Sequence, residues 1–201
     1  MSVAAVPDVA APDLARPLSA RDFACPKILL AGAVDYAMYE RFRQQLEAAP
    51  VTGLVVAELS TLGGDPEVAR MIGEDIRFHS EDRPDRRLVF LGKAAIYSAG
   101  ATVMSFFARE NRYLTRGTRV MIHERKMEKV LQLCGPLTSC IAPVKALLHE
   151  LEHSIAIQNE GFENLIRGSD ITMDEVLQRA PDNWYLEANE AQARGLVEAV
   201  I

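Results

Sequence analysis

An α/β fold is predicted by two features of the 201-residue sequence: strand-like and helix-like stretches alternate, and the strand-like stretches are short and rich in branched apolar residues. The apolar content of 49% is that of an ordinary globular chain. A chain of this length forms one mid-sized domain that buries roughly two-thirds of the surface exposed in its unfolded state. The sequence therefore predicts one α/β domain with a hydrophobic core of its own.

Three strand-to-helix units make up the first part of the predicted domain. Each strand is an apolar run, and the three are expected at residues 27–31, 53–59 and 87–91. Each helix has apolar residues recurring every three or four positions, and the three are expected at residues 35–49, 66–79 and 98–108. Residues 92–97 are expected to connect the third strand to its helix.

The second part of the chain contains one long helix between shorter elements. Strands are expected at residues 112–114, 119–122, 126–134 and 196–201. The apolar positions between residues 137 and 167 follow a helical period, which predicts the long helix. Two short helices are expected at 173–179 and 189–194. The result is a set of repeated β-β-α-like units with residues 126–167 as a projecting handle.

The first 24 residues are interpreted as a flexible arm in front of a domain that spans residues 25–201. Pro7, Pro12 and Pro17 interrupt this stretch, and no basic segment precedes a continuous apolar run. Two interpretations stay open: the arm becomes ordered on a partner, or it is a frayed terminus without a role.

Charge and cysteine content narrow the classes of function. The chain has 22 basic and 28 acidic residues, a net charge of −6, which argues against nucleic-acid binding by phosphate neutralisation. No uncharged apolar run reaches 18 residues, so no membrane-spanning helix is expected.

Cys25, Cys134 and Cys140 form no C-x-x-C pair and are odd in number. A reducing compartment, with the cytoplasm as the default, is the simpler interpretation.

Ser98 is the first candidate for chemistry. It lies between a predicted strand and a predicted helix, in the run Tyr97-Ser98-Ala99-Gly100. A hydroxyl at such a junction is held exposed, and the N–H groups that follow it point at developing negative charge. The alternative is that Ser98 only caps the helix.

A double glycine and a histidine are the other candidates. Gly63-Gly64 follows the second strand, where a main-chain N–H could complete an oxyanion hole with that of Ala99, although a plain turn is the alternative. His123 ends the predicted strand 119–122, and an imidazole there could accept a proton from a serine. A histidine in this position is also commonly structural.

The joint order of these motifs resembles the proteolytic subunit of the Clp protease, a serine peptidase with the Clp/crotonase fold. The resemblance covers residues 27–201, most of the chain. It is carried by Leu62-Gly63-Gly64, by Tyr97-Ser98-Ala99-Gly100, by Arg119-Val-Met-Ile-His123 and by the ending Glu190-Ala-Gln-Ala-Arg-Gly-Leu-Val197. It implies a spiral of repeated β-β-α units with a long handle helix.

The resemblance also implies roles for individual residues. Ser98 would be the nucleophile, His123 the general base, and the N–H groups of Gly64 and Ala99 the oxyanion hole. The family's aspartate position falls on Asn183, and a shift of one residue would place Asp182 there. An asparagine can orient an imidazole but does not offset the charge of an imidazolium as a carboxylate does.

Assembly and partners follow from the same resemblance. It implies a homo-oligomeric ring that encloses the sites, polypeptide substrates, an ATP-dependent unfoldase as a possible partner, and neither metal nor cofactor. Glu124 and Arg125 stand where the family has glutamine and proline, so the handle could differ in shape. Two alternatives remain: a catalytically silent ring subunit or adaptor, and a crotonase-like acyl-CoA enzyme.

Two further motifs point to other chemistry. His149, Glu150 and His153 satisfy H-E-x-x-H on the predicted long helix, which would make a zinc metallopeptidase if a third ligand were near. The alternative is a solvated helix face. Lys93, five residues before Ser98, is a candidate base for a Ser/Lys dyad, with a surface lysine as the alternative.

Overall fold

The fold is described from a computed structural model that covers residues 14–201. The first 13 residues of the predicted arm lie outside the described residues. Within residues 14–201, no helix is both long and apolar enough to cross a membrane.

Seven strands and six α-helices make up the described part of the chain. The strands are β1 Ile28–Ala31, β2 Gly53–Thr61, β3 Arg86–Tyr97, β4 Arg112–Leu114, β5 Arg119–Ile122, β6 Trp184–Glu187 and β7 Ala199–Val200. The helices are α1 Tyr36–Ala48, α2 Pro66–Asp82, α3 Ala99–Ser105, α4 Leu137–Ile166, α5 Met173–Arg179 and α6 Ala188–Ala193. The predicted α/β class is confirmed.

The strands form one sheet in which β3 is the central element. Parallel pairing gives the order β1-β2-β3-β4-β7. The first half of β3 pairs with β4 through Phe90–Gly92, and its second half pairs with β5 through Ala95–Tyr97. Ala94, with a φ of 58°, lies between the halves. The predicted connector 92–97 is therefore a continuation of the strand, and this continuation carries the chain to Ser98.

The main core lies between the sheet and helices α1 to α3. Its largest fully buried side chains include Phe42, Phe90 and Met104. α1 and α2 begin at side-chain caps: Asp35 accepts a hydrogen bond from the N–H of Met38, and Asp65 accepts from those of Glu67 and Val68. Because the Asp65 cap directly follows Gly64, the start of α2 fixes the position of the double glycine.

A second, smaller apolar cluster covers the other face of the sheet. Phe23 packs in it against Tyr113, with 4.9 Å between the ring centroids. The Arg87 guanidinium donates hydrogen bonds to the main-chain carbonyls of Leu14 and Arg16. Residues 14–24, the described part of the expected flexible arm, therefore pack on the sheet.

α4 projects from the domain. Only Phe162 and Leu165, in its last turns, are buried. The apolar stripe on the rest of the helix is exposed, at Leu137, Ile141, Val144, Leu148, Leu151 and Ile155. Most of the stripe that predicted the helix is thus exposed among the described residues.

The predicted strand 126–134 is not formed, and one strand was not predicted. Residues 123–134 have no regular structure and run beside α4, where the Lys129 ammonium pairs with the Glu150 carboxylate. β6, whose residues are Trp-Tyr-Leu-Glu, was not predicted. Its pairing with β5, antiparallel from Arg119↔Glu187 to Ile122↔Trp184, is a tertiary feature.

Candidate active site

Ser98 occupies a strained turn between β3 and α3. Its φ of 55° and ψ of −116° are uncommon for a residue with a side chain. The turn is held by a 2.9 Å hydrogen bond from the Ser98 N–H to the Met121 carbonyl, and by the buried side of α3. The Ser98 hydroxyl makes no capping hydrogen bond. Its oxygen is therefore free for another partner, unlike that of a helix cap.

That partner is His123. The His123 Nε2 lies 2.6 Å from the Ser98 Oγ, a hydrogen-bond distance. The parallel pairing of β3 with β5, in which Tyr97 stands opposite Met121, brings the carboxyl ends of the two strands together. The serine and the histidine each follow one of these ends, so the sheet itself determines their contact.

The environment of His123 favours the neutral imidazole. Partial burial lowers the pKa of His123 below its ordinary value of 6.5, and the positive charge of Lys126 lowers it further. A neutral ring can accept the serine proton at Nε2. The other nitrogen, Nδ1, is buried and has no hydrogen-bond partner among the described residues.

Neither Asp182 nor Asn183, the two candidates for the third member of a serine–histidine triad, contacts His123 Nδ1. Asp182 lies in an exposed 3-10 turn, and Asn183 follows it with a left-handed φ of 58° and an exposed side chain. Continued by one residue, the antiparallel β5–β6 register would place Asn183 opposite His123, since the last pair is Ile122↔Trp184. The main chain of Asn183 is thus the closer of the two in register.

The double glycine lies directly beside Ser98. A Cβ added to Gly63 would come within 2.9 Å of the Ser98 Cβ, so that glycine permits close contact with the turn. Gly64 has a φ of 154° and forms a bridge with Val34. The N–H groups of Gly64 and Ala99 take part in no described hydrogen bond among residues 14–201. They are available to an acceptor in the adjoining cavity.

A cavity of about 350 Å³ opens in front of these groups. Ser98, Ala99, His123 and Gly64 line one side of it. The remaining walls come from α2, α3, the segment 122–127 and the last turns of α4. They include the apolar side chains Phe106, Ile122, Met127, Leu151, Ile155 and Phe162. The site thus combines a hydroxyl, an imidazole and free amides with a cavity whose walls carry both apolar side chains and charged ones such as Arg70, Glu74 and Arg125.

The other chemical motifs of the sequence are not assembled into sites. His149 and His153 are exposed on α4, and Glu150 is paired with Lys129. Residues 14–201 contain no group of three or more side chains that could hold a metal ion. The Lys93 ammonium lies 2.7 Å from the Glu58 carboxylate on the neighbouring strand. These arrangements lend no support to the zinc alternative or to a Ser/Lys dyad.

Arg125 and Gln158, which line the cavity, and Glu67, which pairs with Arg125, were not candidates in the sequence. Arg125 follows His123 by two positions, and its guanidinium lies 2.7 Å from the Glu67 carboxylate. The Arg125 N–H donates to the side-chain oxygen of Gln158 at 2.7 Å. The charged pair directly after the histidine was the only local signal for this arrangement. The residues that Arg125 contacts, Glu67 and Gln158, are distant from it in the sequence.

The chain is similar in sequence and in structure to proteolytic subunits of Clp proteases. No family model matches the sequence. The chain is 29% identical over 178 residues to the ATP-dependent Clp protease proteolytic subunit 2 of Pseudomonas aeruginosa, a match that covers 87% of this chain and 80% of the relative. Among solved structures it is similar to ClpP1 of Listeria monocytogenes carrying an asparagine-to-aspartate mutation. That similarity has a TM-score of 0.68 and 19% sequence identity, and covers 87% of this chain and 90% of the other.

The fold is the Clp/crotonase-like fold. Within that class the chain is ClpP-like, since the sequence match and the structural match both span most of its length. This relationship supports a Clp protease-like function.

Proposed function

We propose that this protein is a serine endopeptidase that hydrolyses peptide bonds through an acyl-enzyme. The observation that carries the proposal is the 2.6 Å contact between the Ser98 hydroxyl and the His123 imidazole, on the wall of a cavity that is also lined by Gly64 and Ala99, whose N–H groups make no hydrogen bond among residues 14–201. Together with the ClpP-like fold, this arrangement favours acyl transfer over the other chemistries that a lone serine or histidine could perform.

The proposed reaction has two halves. In the first, His123 Nε2 takes the proton from the Ser98 hydroxyl as its oxygen attacks the peptide carbonyl carbon. The N–H groups of Gly64 and Ala99 stabilise the resulting oxyanion. The C–N bond then breaks, and the imidazolium gives its proton to the departing amine. Water, deprotonated by the same imidazole, hydrolyses the ester and restores the serine.

We infer that Asn183 is the third member of the site. Its support is the strand register, which favours a position opposite His123, whereas Asp182 would fall one residue further along. A rotated Asn183 side chain could accept a hydrogen bond from the Nδ1–H and fix the tautomer. It would not offset the positive charge that forms on the ring.

The exposed stripe on α4 supports assembly. We propose a homo-oligomeric ring in which Leu137, Ile141, Val144 and Leu148 are covered by another copy, because a contiguous apolar surface of this kind is costly to leave in water. Polypeptides would enter the ring to be cleaved, with an ATP-dependent unfoldase as the partner that delivers folded substrates. Three unpaired cysteines suit a reducing compartment, and we propose the cytoplasm.

Covalent labelling with a fluorophosphonate tests the peptidase proposal. We expect one adduct, on Ser98, that is lost in Ser98→Ala and strongly reduced in His123→Ala. Ser105→Ala is the matched control, because that hydroxyl lies in the same turn-and-helix unit but donates to the Thr102 carbonyl. An adduct elsewhere, or undiminished labelling of Ser98→Ala, would remove the proposal.

A catalytically silent ring subunit is the second candidate. The unpartnered Nδ1 of His123 and the asparagine at position 183 favour it, because both weaken the general base. It predicts an assembled protein whose Ser98 is not labelled at any pH between 5 and 9.

A further inference from the structure

The segment that carries His123 into the cavity has few attachments of its own. After β5 the chain runs from residue 123 to residue 136 without regular secondary structure. Apart from the hydrogen bond between His123 and Ser98, the side-chain hydrogen bonds of this segment among the described residues are those of Arg125 with Glu67 and of Lys129 with Glu150, and the Arg125 N–H donates to the side chain of Gln158. This segment therefore makes few polar contacts with the elements beside it.

Arg125 makes two of these contacts, one with α2 and one with α4. Its guanidinium donates to one oxygen of the Glu67 carboxylate at 2.7 Å, and its N–H donates to Gln158 on α4 at 2.7 Å. The second Glu67 oxygen accepts from Arg70 at 2.8 Å. One residue thus links the histidine segment to both walls of the cavity.

Glu67, the partner of Arg125, lies close in sequence to the glycine loop of the site. Glu67 lies in the first turn of α2, three residues after Gly64. Arg125 lies two residues after His123. The Arg125–Glu67 ion pair therefore connects the short segment bearing the imidazole to the loop bearing one of the free N–H groups, by a route that does not pass through the sheet.

The charges suit a contact that persists at neutral pH. Partial burial by itself would raise the pKa of the Glu67 carboxyl, but the hydrogen bonds and charges of Arg125 and Arg70 lower it below its ordinary value. The carboxylate is consequently charged throughout the neutral range. The Arg125 side chain is 23% exposed and that of Glu67 is 53% exposed, so the pair is shielded from solvent mainly at its arginine end.

We propose that Arg125 is a positioning residue: its bridge to Glu67 holds the His123 segment in register with the Gly63–Gly64 loop, so that base and oxyanion donors act on the same carbonyl. This deepens the proposed peptidase function and rests on it. Small displacements of catalytic groups lower rates steeply, which is why a contact outside the reacting atoms can matter.

The test compares labelling and turnover in variants of the two partners. We expect Arg125→Gln and Glu67→Gln each to lower the rate of Ser98 labelling about tenfold, and the double variant to be no slower than the slower single variant. Arg125→Lys keeps the charge and one donor, and should recover a substantial part of the rate. On a peptide substrate the loss should fall on kcat with KM little changed.

Lys129→Gln is the matched control, because it removes the other ion pair of the same segment without touching Glu67. Its labelling rate should equal that of the unchanged protein. The proposal is overturned if the unchanged protein is labelled and Arg125→Gln is labelled equally fast, if the two single losses add in the double variant, or if Lys129→Gln is as slow as Arg125→Gln.

Hydrogen–deuterium exchange separates failure of the bridge from failure of the peptidase proposal. Arg125→Gln and Glu67→Gln should both speed exchange in residues 123–127, and Lys129→Gln should leave those residues unchanged. An unlabelled wild-type Ser98 would reject the peptidase while this measurement still decides the bridge. Equal exchange in all four proteins would reject the bridge.

Discussion

The α-carbon of Gly64 lies so close to Val34 that a Cβ added there would come within 2.3 Å of the Val34 carbonyl oxygen. The neighbouring hydrogen bonds explain this proximity: the Asp65 N–H donates to the Val34 carbonyl, and the Val34 N–H donates to the Gly63 carbonyl. Two main-chain hydrogen bonds thus hold the loop on both sides of Gly64. The loop cannot move away from Val34 without breaking them.

Gly64→Ala should therefore displace the loop from its present position beside Ser98. Because losing one oxyanion donor costs roughly 100- to 1000-fold in rate, we expect Ser98 labelling to slow by about 100-fold or more. Gly117→Ala is the control, since a Cβ there meets nothing within 4 Å. Near-normal labelling of Gly64→Ala would show that the Gly64 N–H does not serve the reaction.

The pH dependence of labelling should report on His123. The base must be neutral, so the labelling rate should rise with pH through the pKa of His123 and level off above it. Burial and the charge of Lys126 lower that pKa, which places the midpoint below pH 6.5. Lys126→Gln removes one positive charge and should move the midpoint upward, while Lys129→Gln should not. A wild-type midpoint above 6.5 would contradict this assignment.

Asn183→Asp should increase the reactivity of Ser98. A carboxylate opposite His123 stabilises the imidazolium, and the reverse exchange in a serine-peptidase triad costs roughly 10⁴-fold in turnover. We expect a gain of about tenfold or more in peptide hydrolysis and an upward shift of the pH midpoint. Asp182→Asn should stay within about twofold of the unchanged protein. A severe loss in Asp182→Asn would make Asp182 the third member instead.

Two buried arginines should respond oppositely to replacement by methionine. Arg112 is 2% exposed and donates hydrogen bonds to the carbonyls of Ser105, Phe107, Asn164 and Leu165. Arg86 is 4% exposed, and its guanidinium has no hydrogen-bond partner among residues 14–201. Arg112→Met leaves buried carbonyls unpaired and should cost about 3–5 kcal/mol of unfolding free energy.

Arg86→Met removes an unpaired buried charge and should be neutral or stabilising by about 1 kcal/mol. Burial lowers the pKa of Arg86, as expected for a charge without a partner. Urea denaturation of both variants, with exposed Arg116→Met as the reference, measures the difference. A large loss of stability in Arg86→Met would mean that its guanidinium has a partner in solution.

A charge on the exposed stripe of α4 should weaken assembly without unfolding the domain. Val144 is 45% exposed, and Val144→Glu would place a carboxylate in the centre of the proposed interface. We expect sedimentation velocity to show smaller species for Val144→Glu than for the unchanged protein. Lys145→Glu, which changes charge at the adjacent position, is the comparison. Equal sizes for Val144→Glu and the unchanged protein would reject this surface as the contact.

The local sequence predicted several elements correctly. The helix 173–179 and the strands 112–114 and 119–122 occur where their patterns predict them. The long helix also occurs, at Leu137–Ile166, because a helix of thirty residues has enough turns for its apolar period to be recognised in the sequence. The extension of β3 past residue 91 was not predicted because the backbone is irregular at Ala94, and β6 was not predicted because its extended conformation depends on its pairing with β5.

In the candidate site, too, the residues with a local pattern could be predicted and a contact between distant residues could not. Ser98, His123 and the double glycine could be selected because small residues, strand ends and an imidazole form recognisable local patterns, and because their order resembles a known family. The Arg125–Glu67 ion pair could not, since its partners are 58 residues apart. No local pattern specifies which of many surface charges meet.

The amino-acid sequence by itself determined the α/β class, the long helix and the residue types able to perform acyl transfer, since these depend on periods and neighbours along the chain. Only the tertiary structure decided that Ser98 Oγ and His123 Nε2 are in contact, because that distance depends on the pairing of β3 with β5. Only the tertiary structure likewise shows that His123 Nδ1 has no hydrogen-bond partner among residues 14–201, because the position of the Asn183 side chain depends on how the β5–β6 pair ends.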